Sequence, residues 1–185
     1  SNNFRFGYKR EGNVSLLKIH QNKYKYKLVN PKPLIIKNKV ISSTLIRKLI
    51  QNGELNSANK ILKRNWSIEG TVEKGRMMGK KIGFPTCNID IKNYILAKTG
   101  VYAVKANVKK SRKFYKGIAN LGYRPTFDQK KLLLEVNLFN FSGNLYNKKL
   151  SVEFLKFIRG EKKFNGVEDL RNQIKRDLLI AKKVK

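Results

Sequence analysis

The fold class is decided by residues 101–108, Val101-Tyr102-Ala103-Val104-Lys105-Ala106-Asn107-Val108, whose apolar and β-branched side chains favour a strand. Similar short runs occupy residues 66–72, 114–121, 132–141 and 150–158. Glycine, asparagine and proline turns separate these runs. Regularly spaced short strands of this kind predict a mainly β domain, either a small barrel or a sandwich.

After these strands the chain predicts one amphipathic helix. Its apolar residues recur at helical spacing at Leu170, Ile174, Leu178 and Ala181. Acidic residues lie in its first turn and lysines in its last turn, which suits the helix dipole.

Ahead of the strands the pattern is mixed. Residues Val14–His20 predict one strand and residues 24–29 a second. The hydroxyl residues at 42–44 predict the start of a helix that ends at Gly53, and a further helix is predicted over Leu55–Leu62. We place a domain boundary near Arg64, between a small α/β piece (1–64) and a β domain with its helix (65–185).

The composition excludes several classes of protein. Cys87 is the only cysteine, so neither a disulfide framework nor a multi-cysteine zinc site is possible. No apolar run approaches the ~18 residues of a membrane span, and the first residues lack the apolar core of a signal peptide. These features predict a soluble, cytoplasmic protein without a membrane partner.

The charge is strongly basic, with 42 Lys and Arg against 12 Asp and Glu and a net charge of +30. Such a surface attracts polyanions, so a basic nucleic-acid-binding module without enzymatic activity is the alternative function. The lysines are spread along the whole chain beside abundant Asn and Ile, a pattern typical of an AT-rich coding sequence. We therefore expect no specific nucleic-acid partner.

The densest group of candidate functional residues is a glycine-rich segment that ends in Pro85-Thr86-Cys87-Asn88. Its glycines and basic side chains suit a loop that closes over phosphates. The Thr86 hydroxyl and the Asn88 amide are oxygen ligands that suit Mg²⁺. A glycine-rich hairpin whose Thr and Asn only satisfy turn hydrogen bonds is the alternative, and spacing alone favours it.

Glu135 lies within the strongly apolar run 132–139. A carboxylate that is partly buried in such a strand suits a general base. Strand alternation places it on the same face as Leu133, Asn137 and Phe139. The alternative is a charge that faces solvent or pairs with a lysine.

Four ordered motifs resemble the riboflavin kinase domain of bacterial bifunctional FAD synthetases. They are GFPTCN at 83–88, GVYAV at 100–104, GIANLGYRPTF at 117–127 and RGEKKF at 159–164. The resemblance implies a small Greek-key-like β-barrel with a C-terminal helix, preceded by a partial α/β nucleotidyltransferase domain. It also implies phosphoryl transfer from ATP to riboflavin, which forms FMN and requires Mg²⁺.

The resemblance implies a role for each matching residue. Glu135 would be the catalytic base, and Thr86 and Asn88 would hold Mg²⁺. The ATP-binding residues would be Gly75, Gly79, Lys80, Gly83, Pro85, Thr86 and Asn88. The flavin-binding residues would be Arg159, Glu161 and Phe164. Lys80 and Cys87 depart from the family, which usually has Arg and Ala there.

The first part of the chain resembles the FMN adenylyltransferase domain of the same enzymes. Residues 3–7 are similar to its flavin-side motif, and its nucleotide motif is matched by Ser42, Ser43, Thr44 and Arg47. That active site also needs an HxGH motif, whereas His20 is the only histidine here and suits a structural role. We therefore expect the first 64 residues to be a remnant that does not adenylylate FMN.

Overall fold

The computed structural model describes residues 4–36, 38–75, 78–91, 94, 97–109, 111–125 and 130–184. The chain divides into two compact units, Ser1–Ser43 and Thr44–Lys185. The first contains only short elements, and the second contains a closed barrel.

The first unit holds two small hairpins and one helix. In chain order its elements are β1 (Arg5–Phe6), a 3-10 turn (Tyr8–Arg10), β2 (Gly12–Asn13), α1 (Val14–His20), β3 (Ile35–Ile36) and β4 (Lys39–Val40). β1 pairs with β2 and β3 with β4, both antiparallel.

The predicted strand over Val14–His20 is wrong, because this segment is the helix α1. Asn13 caps the helix, and its side-chain oxygen accepts a hydrogen bond from the Leu16 backbone N–H at 3.0 Å. Val14 and Leu17 are half-buried and lie three residues apart, as on one helix face. The Asn13 cap thus favours a helix in a segment whose composition also suits a strand.

The predicted strand over residues 24–29 is also wrong, because these residues form a turn and irregular chain. Lys25 adopts a positive φ of 51°, which turns the backbone after α1. The Tyr26 hydroxyl then donates a hydrogen bond to the backbone oxygen of Leu17. These contacts tie the segment to α1 and prevent an extended conformation.

In the second unit six strands close into a barrel, so the prediction of a mainly β fold is confirmed. The strands are β5 (Ser67–Glu73), β6 (Cys87–Asp90), β7 (Gly100–Val108), β8 (Tyr115–Pro125), β9 (Lys130–Leu138) and β10 (Lys149–Arg159). Around the barrel they follow the order β10-β5-β6-β9-β8-β7, and each neighbouring pair is antiparallel. β7, β8 and β9 are consecutive and β10 returns beside β7, which is a Greek key.

The barrel interior is apolar and close-packed. Leu134 and Val136 of β9 point inward, whereas Glu135 between them points outward, as strand alternation requires. Tyr102 and Phe154 are fully buried, with ring centroids 5.0 Å apart at nearly right angles. Burial also raises the pKa of the Tyr102 hydroxyl above its ordinary value.

Two helices precede the barrel, α2 (Ser43–Gln51) and α3 (Leu55–Leu62), and both predicted helices are confirmed. Ile50, Leu55 and Ala58 belong to the same core cluster as the barrel interior. Asn59 of α3 donates to the Phe154 backbone oxygen at 3.0 Å. The boundary predicted near Arg64 falls inside this compact unit, and the assignment of residues 1–64 to a nucleotidyltransferase remnant stays a prediction.

The C-terminal helix α5 (Val167–Lys183) is confirmed and packs on the outside of the barrel. Leu178 and Ala181 contact a second apolar cluster on the outer face of β7 and β8, formed by Val101, Ala103 and Ile118. A four-residue helix, α4 (Met78–Lys81), lies between β5 and β6. Among the described residues, the structure has no helix long and apolar enough to cross a membrane.

Candidate active site

A pocket of about 450 Å³ lies between α5 and the outer face of the barrel. Its apolar lining includes Ile118, Phe164, Ile174 and Leu178. Its polar lining comprises Thr86, Asn120, Glu135, Asn137, Arg159, Glu161, Lys162 and Asp177. An apolar cleft with a few polar groups gathered in it is typical of a small-molecule site.

Glu135 and Asn120, which line the pocket, belong to a row of residues that crosses the barrel strands. Glu135 of β9 lies directly opposite Asn88 of β6 on one side and Asn120 of β8 on the other. Side chains at directly opposite positions of antiparallel strands share a face. Glu135, which is half-buried, therefore lies between two amide side chains on the outer face of the barrel.

Asn88 is the more deeply buried of the two amides, at 7% exposure. Its Oδ1 atom is buried and has no hydrogen-bond partner among the described residues. Gly75 approaches its Nδ2 atom so closely that a Cβ at position 75 would lie only 1.7 Å away. Any larger residue at position 75 would have to displace the Asn88 amide, and the buried oxygen of that amide is available to a ligand.

The glycine-rich segment is held by backbone contacts beside Thr86. The Phe84 N–H donates to the Gly79 oxygen at 2.7 Å, and Gly83 adopts a φ of 89° that favours glycine. A Cβ at Gly79 would lie 2.4 Å from the Phe84 oxygen and 3.2 Å from the Thr86 hydroxyl. Lys80 is exposed and does not line the pocket, and Arg76 and Met77 lie outside the described residues.

Thr86 and Asn137 also line a second pocket of about 350 Å³. Asn137 donates from its Nδ2 atom to the Pro85 oxygen at 2.6 Å, which ties β9 to the segment before β6. The second pocket is lined mainly by apolar and aromatic residues that include Leu138, Phe141, Leu145 and Tyr146. The two pockets therefore adjoin at Thr86 and Asn137.

Arg159, at the end of β10, makes a bidentate ion pair with Asp177 of α5. Its Nη2 atom lies 2.8 Å and its Nε atom 2.9 Å from the Asp177 Oδ2 atom. Gln173 donates to the Oδ1 atom of the same carboxylate at 2.9 Å. The guanidinium carbon of Arg159 also lies 5.8 Å from the centre of the Phe164 ring.

Glu161 lies over β8 at the pocket. A Cβ at Gly122 would come within 2.4 Å of the Glu161 Oε1 atom. A side chain at position 122 would therefore require the Glu161 carboxylate to move away from β8.

Cys87 points away from this row, toward the barrel core. Burial raises the pKa of its thiol to about 11, so it stays neutral near pH 7. It is therefore suited neither to ligate a metal nor to act as a nucleophile.

The pocket thus brings together Gly79, Thr86, Glu135, Arg159, Glu161 and Phe164, and Asn88 lies directly opposite Glu135. Four residues predicted to bind a nucleotide in the first part of the chain, Ser42, Ser43, Thr44 and Arg47, are exposed and line neither pocket.

Sequence reasoning missed Asn120 and Asp177. It placed Asn137 on the same strand face as Glu135 but gave it no role in the site. Asp177 falls on the apolar face of α5, where a lone acid is conspicuous. Asn120 required the register of β8 against β9, which the sequence does not carry.

The oxygen donors at this site fit Mg²⁺. No cluster of three or more His, Cys, Asp or Glu suited to a metal occurs in the part of the chain that the structure describes. Magnesium, however, is commonly held by few protein oxygens together with substrate phosphates. The buried Asn88 oxygen and the neighbouring Thr86 hydroxyl are such donors.

A family profile described as flavokinase, or riboflavin kinase, matches residues 62–185. The chain belongs to the riboflavin kinase family. A bifunctional riboflavin kinase/FMN adenylyltransferase from Buchnera aphidicola subsp. Schizaphis graminum is 44% identical over 183 residues, which cover 97% of this chain and 58% of that protein. The protein of the same name from Haemophilus influenzae is 39% identical, and the match covers 97% of this chain and 58% of that protein.

Among solved structures, one described as a macrolide-efflux protein from Streptococcus pneumoniae matches with a TM-score of 0.84 and 30% identity. The match covers 100% of this chain and 59% of that chain. This chain thus spans somewhat less than three fifths of the length of these relatives.

Proposed function

We propose that this protein phosphorylates riboflavin to FMN with ATP. The observation that carries the proposal is the placement of Glu135 between Asn88 and Asn120, in an apolar pocket that adjoins a second pocket at Thr86. Family membership supports the same reaction. The family gives no support to the alternative of a nucleic-acid-binding module without activity.

The flavin ring fits the apolar part of the first pocket. A planar aromatic ring gains most from apolar walls, which Ile118, Ile174 and Leu178 provide, and from the Phe164 ring. The ribityl chain would then extend along the outer face of the barrel toward Asn120 and Glu135. This pose brings a primary hydroxyl to the only polar row of the pocket that contains a carboxylate opposite two amides, among the described residues.

Glu135 is the proposed general base. Phosphoryl transfer depends mainly on positioning and charge neutralisation, and one group must accept the hydroxyl proton as the oxygen attacks. Asn120 and Asn137 share the pocket with Glu135 and offer amide hydrogen bonds to the ribityl hydroxyls. We propose that these amides orient the attacking hydroxyl and that Glu135 takes its proton.

The nucleotide is proposed to occupy the second pocket, with its phosphates at Thr86. Leu138, Phe141 and Tyr146 offer apolar and aromatic contacts to a base, and Gly79 lies beside the Thr86 hydroxyl. Thr86 and Asn88 would hold Mg²⁺, which neutralises phosphate charge when bound. The short path between the pockets at Thr86 and Asn137 is the route of the phosphoryl group.

The relatives are named for a second activity, FMN adenylylation. We propose that these 185 residues do not carry it, because the single histidine His20 cannot form an HxGH motif. We also propose a cytoplasmic location, where ATP is available.

The test is incubation of the purified chain with riboflavin, ATP and Mg²⁺, with the products separated by chromatography. We expect FMN without FAD. Absence of FMN would overturn the proposed kinase function, whereas FAD would overturn the proposal that adenylylation is absent.

A further inference from the structure

One side chain at the pocket has no role in the reaction proposed above, namely Asp177. It is 1% exposed and lies on α5 among apolar residues that pack against the barrel. A carboxylate is seldom buried to this extent unless it is paired. Its partners therefore indicate what it does.

The partners of Asp177 lock the end of β10. Arg159 contributes two nitrogens to the carboxylate, Nε at 2.9 Å and Nη2 at 2.8 Å from Oδ2, and Gln173 adds a third donor at 2.9 Å from Oδ1. Bidentate pairing of this kind fixes the plane of the guanidinium group as well as its position. Arg159 consequently has one orientation relative to α5.

From Arg159 the constraint passes into the next segment, residues 160–166, which joins β10 to α5. The Arg159 Nη1 atom donates to the Gly160 oxygen at 2.9 Å, and its guanidinium group faces the Phe164 ring at 5.8 Å. The same segment carries Glu161, and both Glu161 and Phe164 line the pocket. Arg159 therefore contacts both the start of this segment and the aromatic side chain that it presents to the ligand.

We propose that Asp177 is a positioning residue that, through Arg159, fixes residues 160–166 over the pocket and thereby sets the affinity for riboflavin. This inference rests on the proposed function. A buried ion pair is weak evidence for stability, since apolar pairs of similar volume are often equally stable or more stable. An apolar pair, however, would not reproduce the contacts by which the Arg159 guanidinium group holds residues 160–166.

The first comparison is Asp177→Asn against Asp169→Asn, the same change at an exposed acid in the first turn of α5. We expect Asp177→Asn to raise the KM for riboflavin about 10- to 100-fold, the scale expected when a binding group is misplaced. We expect the KM for ATP to change by less than about threefold, because Arg159 and Asp177 line the first pocket but not the second. An equal rise in both KM values would overturn the inference.

The second measurement needs no turnover. Lys162 and Lys163 are exposed trypsin sites within the segment. We expect trypsin to cut there about tenfold faster in Asp177→Asn than in the wild type or in Asp169→Asn, because loss of the anchor favours local opening. Cleavage is followed site by site with mass spectrometry, and an unchanged rate at these two lysines would overturn the inference.

A double variant, Arg159→Met with Asp177→Leu, separates positioning from stability. It removes both charges, so no unpaired charge is left buried, and we expect the melting temperature to recover relative to Asp177→Asn. The KM for riboflavin should remain raised. Recovery of the KM together with the melting temperature would show that the pair only stabilises the fold. If the wild type formed no FMN, the proposed function would fail, whereas the trypsin comparison would still decide whether Asp177 anchors the segment.

Discussion

The two compact units of this chain place their apolar side chains differently. In the unit from Thr44 onward, the barrel closes on itself and buries residues such as Phe154 and Leu134 completely. In the first unit, strands of two residues and a seven-residue helix leave Ile19 72% and Val29 74% exposed. Strands that short bury little side-chain surface, whereas a closed sheet has no unpaired edge. The barrel, and not the first unit, therefore holds the self-contained core and the candidate site.

The largest effect that we expect is on catalysis within the barrel unit. Glu135→Gln keeps the size of the side chain but removes the proposed base, so we expect turnover to fall by about two to four decades while riboflavin still binds. Steady-state assays of FMN formation and flavin fluorescence measure the two effects. The control is Glu69→Gln, which makes the same change at a surface ion pair with Lys109. Equal turnover in the two variants would remove Glu135 from the mechanism.

A stability comparison tests the contrast between the units directly. We expect Phe154→Ala to lower the free energy of unfolding by about 3–5 kcal/mol, because it removes a fully buried ring that contacts Trp66 and Tyr102. We expect Ile19→Ala to change it by less than about 0.5 kcal/mol, because that side chain is largely exposed. Urea titrations followed by circular dichroism compare them. A loss of stability in Ile19→Ala as large as that in Phe154→Ala would show that the first unit has a tightly packed core as well.

The same contrast explains which features the sequence predicted. Short apolar and β-branched runs separated by turns predicted five of the six barrel strands, and the apolar period of α5 predicted the helix face that packs on the barrel. Closure of the barrel agrees with these local patterns. In the first unit no closed sheet favours strand over helix, and the Asn13 cap favours the helix α1 in an apolar run. Glu135 was predicted as a carboxylate within an apolar strand and Thr86 within the motif at 83–88, but the placement of Asn120 and Asp177 depends on strand register and helix packing. Strand register and helix packing arise only when segments that are far apart in the sequence come into contact.

Nucleotide binding gives a smaller effect, which can be compared between two regions because candidate hydroxyls occur in both parts of the chain. We expect Thr86→Ala to raise the KM for ATP about tenfold, since a hydroxyl beside the phosphates is lost, while the KM for riboflavin stays within about twofold. Ser43→Ala, at the exposed start of α2, should leave both values unchanged. Initial rates over a grid of both substrates measure these constants. An equal loss for both substrates in Thr86→Ala would indicate misfolding and not a nucleotide contact.

The smallest effect concerns Cys87, which reports on the barrel alone because the first unit has no cysteine. Burial raises the thiol pKa from 9.0 to about 11, so at pH 8 little thiolate is present, and iodoacetamide should label the folded chain far more slowly than the unfolded chain. The neutral buried thiol favours the folded state below pH 9, and that contribution is lost as the pH rises from 9 through 11. Labelling across a urea titration should therefore follow the loss of the barrel core, with the same midpoint as Trp66 fluorescence, since both side chains pack against that core. Rapid labelling at low urea, while Trp66 remains in its folded environment, would show that β6 opens before the rest of the barrel. The barrel would then contain a weakly held strand of its own, and the contrast with the loosely covered first unit would no longer hold for β6.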